Sequence, residues 1–379
     1  MSAQVSSSRL ISVDALRGLI MIFMALDHAS YFVAKVHPGE WWGLPLPQYT
    51  SSLAFLTRFV THPCAPGFFF LLGLSMIFFA ESRRRLGWSE KQIWRYFLWR
   101  GLLLIVLQGL IENFAWLLGP AQETRPGSSG PIWIYLGVLY ALGLSMIICA
   151  LFLRLRSSIL TGLGLAAILI AQFLIPGAVN FPRVYSPFLR AILIPGQTGI
   201  LAVKYTLFPW LGLALLGMAL GRNMARDPKK TFRLALLFGA AAVLLFPVFR
   251  IAGGPVGDFH APVNSGWIAF FNLTKYPPSL PFILVTLGIN LLVLAPVSRM
   301  EGILQKWGKP LLTFGRTALF FYIVHLYMYG LIGLAFPNGM LLGRMYFFWL
   351  GGLVLLYFLC SWYASFKARQ APDSIWRMF

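Results

Sequence analysis

Apolar runs of about twenty residues recur along this chain, separated by shorter polar stretches. A helix needs about 20 such residues to cross the hydrocarbon core of a bilayer. Ten runs qualify, at 11–33, 55–80, 97–118, 132–153, 157–176, 204–221, 232–251, 279–298, 311–335 and 345–366. Those at 132–153 and 345–366 carry no charge at all. The pattern predicts an all-α integral membrane protein: a bundle of about ten transmembrane helices forming a single domain over 1–379. The first eight residues are polar and Ser-rich, and the run after them lacks a small-residue cleavage site, so it reads as a retained span.

The polar connections alternate in charge. One set holds Arg83–Arg85, then Arg154 and Arg156, then Arg222 to Lys230, then Arg299 to Lys309, then Lys367 and Arg369. The other set is poor in cations. Basic loops stay in the cytoplasm, which predicts an N-in/C-in protein of the bacterial cytoplasmic (inner) membrane. Three outer segments, 34–54, 177–203 and 252–278, are too apolar for free loops. They read as re-entrant or interfacial pieces capping a cavity. Gly217 and Gly221 form a GxxxG suited to close helix packing.

Composition agrees. The chain is 58% hydrophobic and 11% charged, against about 25% charged in soluble domains. The net charge of +20 would suggest nucleic acid in a soluble protein. Here no basic face carries exposed aromatics, and nucleic-acid binding is set aside. Cys64, Cys149 and Cys360 lie in apolar runs with no metal or disulfide spacing, and no metal site is expected.

Ionisable groups inside spans are costly and are candidates for function. The first span holds Asp14, Arg17, Asp27 and His28. Arg17 and His28 are eleven residues apart, which places them about 20° apart around the helix and roughly 16 Å apart along it. One face thus offers a cation near the inner surface and an imidazole deeper in. Asp14, one turn away, can fix the Arg17 rotamer. This spacing suits a long, thin anionic ligand such as an acyl-coenzyme A. The same residues also fit a plain structural role, with Arg17 snorkelling to headgroups and His28 bonding a neighbouring helix. The second span adds Arg58 and His62 on one face, beside Pro63 and Pro66, which should loosen the helix. Glu112 sits in the third span and His325 in the ninth. Lys275 stands before the eighth, where it could meet an anionic acceptor. No P-loop, nucleophile elbow or dinucleotide fingerprint occurs.

The stretch Arg9-Leu10-Ile11-Ser12-Val13-Asp14-Ala15-Leu16-Arg17-Gly18 resembles the opening of the heparan-α-glucosaminide N-acetyltransferase catalytic-domain family, closest to its bacterial members. Thr61-His62-Pro63-Cys64-Ala65-Pro66, Lys275-Tyr276-Pro277-Pro278-Ser279 and Phe321-Tyr322-Ile323-Val324-His325-Leu326 extend the likeness. Arg17 and His28 also match the arginine–ten residues–histidine motif of the wider transmembrane acyltransferase superfamily. The resemblance implies acetyl-CoA from the cytoplasm and a carbohydrate or glycolipid acceptor on the far side. In the lysosomal branch an asparagine stands at His28 and an aspartate at His62. That branch's key histidine lies in the outer loop, where His37 is the candidate.

The reading is therefore a membrane acyltransferase. His28, His62, His325 and Asp27 are the catalytic candidates. Arg17, Asp14 and Arg58 are assigned to the acetyl-CoA donor, and Glu112 and Lys275 to the acceptor. Transfer is direct or through an acyl-histidine. A homodimer is left open. The alternative is a proton-linked exporter of a sugar- or lipid-linked substrate, since intramembrane His and Glu also relay protons.

Overall fold

Charge-free apolar runs form helices wherever a bilayer leaves the backbone no other partner. The computed structural model describes residues 10–36, 39–49, 51–120, 124–128, 130–176, 185–371, 374 and 376. In chain order its helices are α1 Ile11–Ala29, α2 Ser52–Phe59, α3 Cys64–Arg85, α4 Glu90–Leu107, α5 Asn113–Trp116, α6 Val138–Leu151, α7 Ser157–Leu174 and α8 Pro187–Ile192. There follow α9 Trp210–Arg226, α10 Pro228–Ala252, α11 Trp267–Phe271, α12 Leu280–Val297, α13 Glu301–Trp307, α14 Lys309–Arg316, α15 Ala318–Leu334 and α16 Leu342–Ala368. Polar residues start several of them. Ser89 and Gln92 make a reciprocal capping box at α4. Asp227 caps α10 and Ser279 caps α12 through their side chains.

Among the described residues, seven helical stretches are long and apolar enough to span a membrane: 11–34, 52–85, 90–116, 157–174, 228–252, 280–297 and 342–368. The run at 311–335 is not one straight helix, because α14 and α15 meet at a 94° bend. Counting that pair as one span gives eight. The runs at 132–153 and 204–221 are shorter than their hydropathy suggests. The first begins as an extended strand, β1 Ile134–Leu136, before α6. The second becomes helical only at Trp210. With β2 Gly196–Thr198 and β3 Leu201–Val203, β1 forms a small sheet of order β1-β3-β2, β1 parallel and β2 antiparallel to β3. Six of the nine strand residues lie in or beside the second outer segment, whose residues 177–184 fall outside the description. Helical periodicity gives no warning of strands only three residues long.

Glycines set how closely the helices cross. A Cβ on Gly217 of α9 would lie 1.9 Å from the Phe70 carbonyl oxygen of α3, and one on Gly221 3.0 Å from that of Leu74. The expected close packing of this pair is met. A second crossing was not anticipated. A Cβ on Gly18 of α1 would lie 1.9 Å from the Leu311 oxygen of α14, and one on Gly315 2.0 Å from the Asp14 oxygen. The backbones of α1 and α14 therefore touch beside Arg17.

The outer segments also pack inward. Trp41 and Trp42 are fully buried. The Glu40 carbonyl accepts the backbone N–H groups of Lys275 and Tyr276, and the Tyr276 carbonyl accepts that of Trp42. Buried Arg250 at the end of α10 organises the third segment by donating to the carbonyls of His260, Ala269, Phe270 and Asn272. Asp258 accepts from Thr274 and Ser279 in the same turn. This polar cluster fixes Lys275 and Tyr276 in place.

Helix contact through Gly217 leads to a direct expectation. Gly217→Leu should cost about 1–3 kcal/mol or more through overpacking and lower the melting temperature in detergent. Gly162→Ala, where a Cβ meets nothing within 4 Å, should leave melting unchanged or slightly raised.

Candidate active site

A single cavity of about 680 Å³ links the two polar regions of the first span. At one end it is lined by Arg17, Arg83, Arg85, Arg100, Arg316 and Lys367. Asp14 organises this basic end. Its carboxylate accepts from Arg17 at 3.2 Å and from Arg316 at 3.2 Å. Arg17 also donates to Ser75 Oγ at 2.6 Å and to the Gly315 carbonyl at 3.2 Å. The close crossing of α1 and α14 makes that last bond reachable. Several guanidinium groups converging on one cavity suit a polyanion such as a nucleotide with its phosphates. Arg316 lies inside an apolar run, and its charge was the available signal that the run bends there.

The middle of the cavity is apolar, with Met21, Met24, Leu71, Leu104 and Met146 among its walls. Its other end reaches His28. The His28 and His325 rings lie edge to edge, 4.9 Å between centroids and with planes 27° apart. His28 Nδ1 and His325 Nε2 are 2.6 Å apart, and His325 Nδ1 is 2.9 Å from the Phe321 carbonyl oxygen. A carbonyl can only accept, so His325 carries its proton on Nδ1 and presents a bare Nε2. That nitrogen accepts from His28 Nδ1–H. His28 Nε2 is then left with its lone pair, on a side chain that lines the cavity. The main chain thus sets the tautomers of two histidines in turn.

Around His28 the cavity is walled by Glu112, Trp116, Tyr135, Tyr205, Tyr276 and Tyr322. Glu112 ends a π-helical turn, Gln108–Glu112, and α1 runs into another at Ser30–Ala34. Such turns are frequent at functional sites. One Glu112 oxygen accepts from Trp116 Nε1 at 2.9 Å. Its other oxygen has no hydrogen bond among the described residues. Lys275 lines the same end, with its ammonium over the Tyr276 ring at 5.4 Å. Lys204 stands over Tyr276 at 4.7 Å and over Trp41 at 5.4 Å.

Arg58 lies at this histidine end, away from Arg17. It donates to Asp27 at 2.6 Å and makes a two-pronged bond to Glu40. Thr61 also donates to Asp27, at 2.5 Å. Burial pushes the Glu40 carboxyl up, but the adjacent Arg58 charge overrides this and holds it well below the usual carboxylate range. His62 points into this network, 3.4 Å from Glu40, and packs against Phe59 and Phe282. It does not line the cavity. The structure therefore brings His28, His325, Asp27, Glu112 and Lys275 together, and sets His62 behind them. Sequence reasoning missed Glu40, although an acid beside two tryptophans in an apolar segment was a usable signal. His37 lies outside the described residues. Among the described residues, no group of three His, Cys, Asp or Glu could hold a metal ion.

Burial, and then the Arg58 charge, bring the Lys275 ammonium down to about 8 from an unfolded value near 10.4. The folded state then carries a full penalty for the charged form below pH 8, which fades as the pH approaches 10. Lys275→Met should be more stable than the parent at pH 7, by about 3 kcal/mol at 1.36 kcal/mol per pH unit. The gap should shrink to under about 1 kcal/mol by pH 10 in a detergent melting series.

The family described as heparan-alpha-glucosaminide N-acetyltransferase, catalytic, matches residues 9–250. No curated protein matches the chain. The matched stretch holds Arg17, Asp27, His28, Arg58 and Glu112, whereas Lys275 and His325 come from the part beyond it. It covers well over half of the 379 residues, and the chain belongs to the heparan-alpha-glucosaminide N-acetyltransferase catalytic family.

Proposed function

We propose that the protein is a membrane acetyltransferase that moves an acetyl group from acetyl-CoA to a carbohydrate or glycolipid acceptor. The observation that carries this is the continuous cavity from the Arg17 cluster to His28. Its two ends match a donor with a phosphorylated head, a narrow arm and a reactive tip. Arg17, Arg83, Arg100 and Arg316 hold the phosphates. The methionine and leucine walls take the arm. The thioester then lies near His28.

His28 Nε2 acts as general base. It takes the proton from the acceptor hydroxyl or amine as that oxygen or nitrogen bonds to the thioester carbonyl carbon. When the carbon–sulfur bond breaks, the protonated His28 returns the proton to the departing thiolate. His325 holds His28 in the required tautomer. Asp27, pinned by Arg58 and Thr61, supplies a fixed negative charge beside the imidazole while it carries the extra proton. Glu112 and Lys275 orient the acceptor.

Taking the shorter helices α6 and α9 as spans beside the seven long stretches and the bent pair gives the ten spans of this reading. An even number puts both termini on one side. The basic connections favour the cytoplasm for that side, and in this reading donor and acceptor approach from opposite faces. A reporter fused after Phe379 that reads as external overturns this orientation.

Two measurements test the chemistry. Millimolar coenzyme A or acetyl-CoA should raise the melting temperature of the purified protein, and Arg17→Met should lose that shift. Unchanged melting of the parent at millimolar coenzyme A overturns the donor assignment and favours an exporter. His28→Ala should keep the shift yet lose about 10²–10⁴-fold in acetyl transfer, the usual range for a general base. Full transfer by a correctly inserted His28→Ala protein overturns the catalytic assignment.

A further inference from the structure

A second cavity, of about 980 Å³, lies on the histidine side of the fold. It is bounded by the first outer segment, by Pro120 and Thr124, and by residues 340–343 at the start of α16. Tyr31 lines this vestibule and the main cavity alike. Trp41 lines the vestibule and packs 5.3 Å from Tyr276, which lines the main cavity. Tyr31 and the Trp41–Tyr276 pair thus lie between the vestibule and the chamber of His28.

The lining has two chemistries. Flat faces at Tyr49 and Pro45 lie beside polar Lys35, Gln48 and Ser51. Flat apolar faces with a few hydrogen-bonding groups are what a sugar ring needs. The rim differs. Val36, Leu53 and Leu341 line the cavity and are 43%, 53% and 74% exposed. Exposed apolar side chains gathered at one rim suit contact with a lipid chain. A free sugar gains nothing from such a rim, whereas an anchored one does. The volume lies at the upper end for small-ligand pockets, about 300–1,000 Å³, and exceeds what a single sugar ring requires.

We propose that this vestibule binds the acceptor, and that the acceptor is a saccharide carried on a lipid. The glycan sits against Tyr49 and Pro45, the apolar anchor rests on Leu53 and Leu341, and the reacting group passes Tyr31 toward His28. The substrate class rests on the transferase reading above, but the binding site can be tested apart from it.

The test uses the full-length protein in lipid nanodiscs and an octyl glycoside carrying a photoreactive diazirine on its sugar. Cross-linked peptides should fall within 35–54 and 340–343. Unlabelled octyl glycoside should compete, and octanol should not. Gly343→Trp should cut labelling at least tenfold, because a Cβ there meets nothing within 4 Å and the fold should tolerate the plug. If that variant fails to fold, Leu53→Asp at the exposed rim should cut labelling several-fold. Labelling spread over the lipid-facing helices, equal competition by octanol, or unchanged labelling in a folded variant overturns the proposal. Failure of acetyl-CoA to shift the melting of the parent removes the transferase reading and leaves the labelling result standing.

Discussion

Taking a guanidinium out of water costs several kcal/mol, and Arg58 is 4% exposed. It can stay there because two carboxylates reach it from different parts of the chain. Asp27 comes from α1 and Glu40 from the first outer segment. The Glu40 backbone in turn holds Lys275 and Tyr276 of the third segment. One buried charge therefore sets the mutual position of α1, α2 and both outer segments. The placing of His28 at the end of a cavity, and the walls of that cavity, follow from it. His62 belongs to this network through Glu40. Its position in the sequence, one helical turn after Arg58, suits that supporting place.

The basic end is organised by contact between backbones. The absence of side chains at Gly18 and Gly315 lets α14 lie directly on α1. That brings the Gly315 carbonyl to Arg17 and Arg316 to Asp14. Between the two ends the described walls are mainly apolar, with Met21, Met24, Leu71, Leu104 and Met146 among them. A thin ligand can pass there without demanding polar partners, so each end can bind according to its own chemistry.

The class of fold was legible because span length and the scarcity of charge are composition-level constraints, and both survive any rearrangement of helices. The Arg17–His28 face was legible because a helix fixes angle and rise. The partnership of His28 with His325 was legible only as shared depth, since nothing in one sequence says which helices are neighbours. The same limit led to Arg58 being grouped with Arg17 as a donor ligand, although a carboxylate 18 residues before it in the sequence holds it at the other end. The bend at Thr317, the strands at 134–136 and 201–203, and the aromatic vestibule come from tertiary contacts. A hydropathy window averages over all of them.

The chain of hydrogen bonds from His28 to His325 ends on the Phe321 carbonyl, where the familiar catalytic triads end on a carboxylate. A main-chain dipole can steer a proton but cannot neutralise a positive charge. An imidazolium at His28 would find its nearest counter-charge in Asp27, which Arg58 already engages. Such a pair is suited to relaying a proton rather than storing it. Its orientation depends on a backbone atom that no single side-chain replacement can remove.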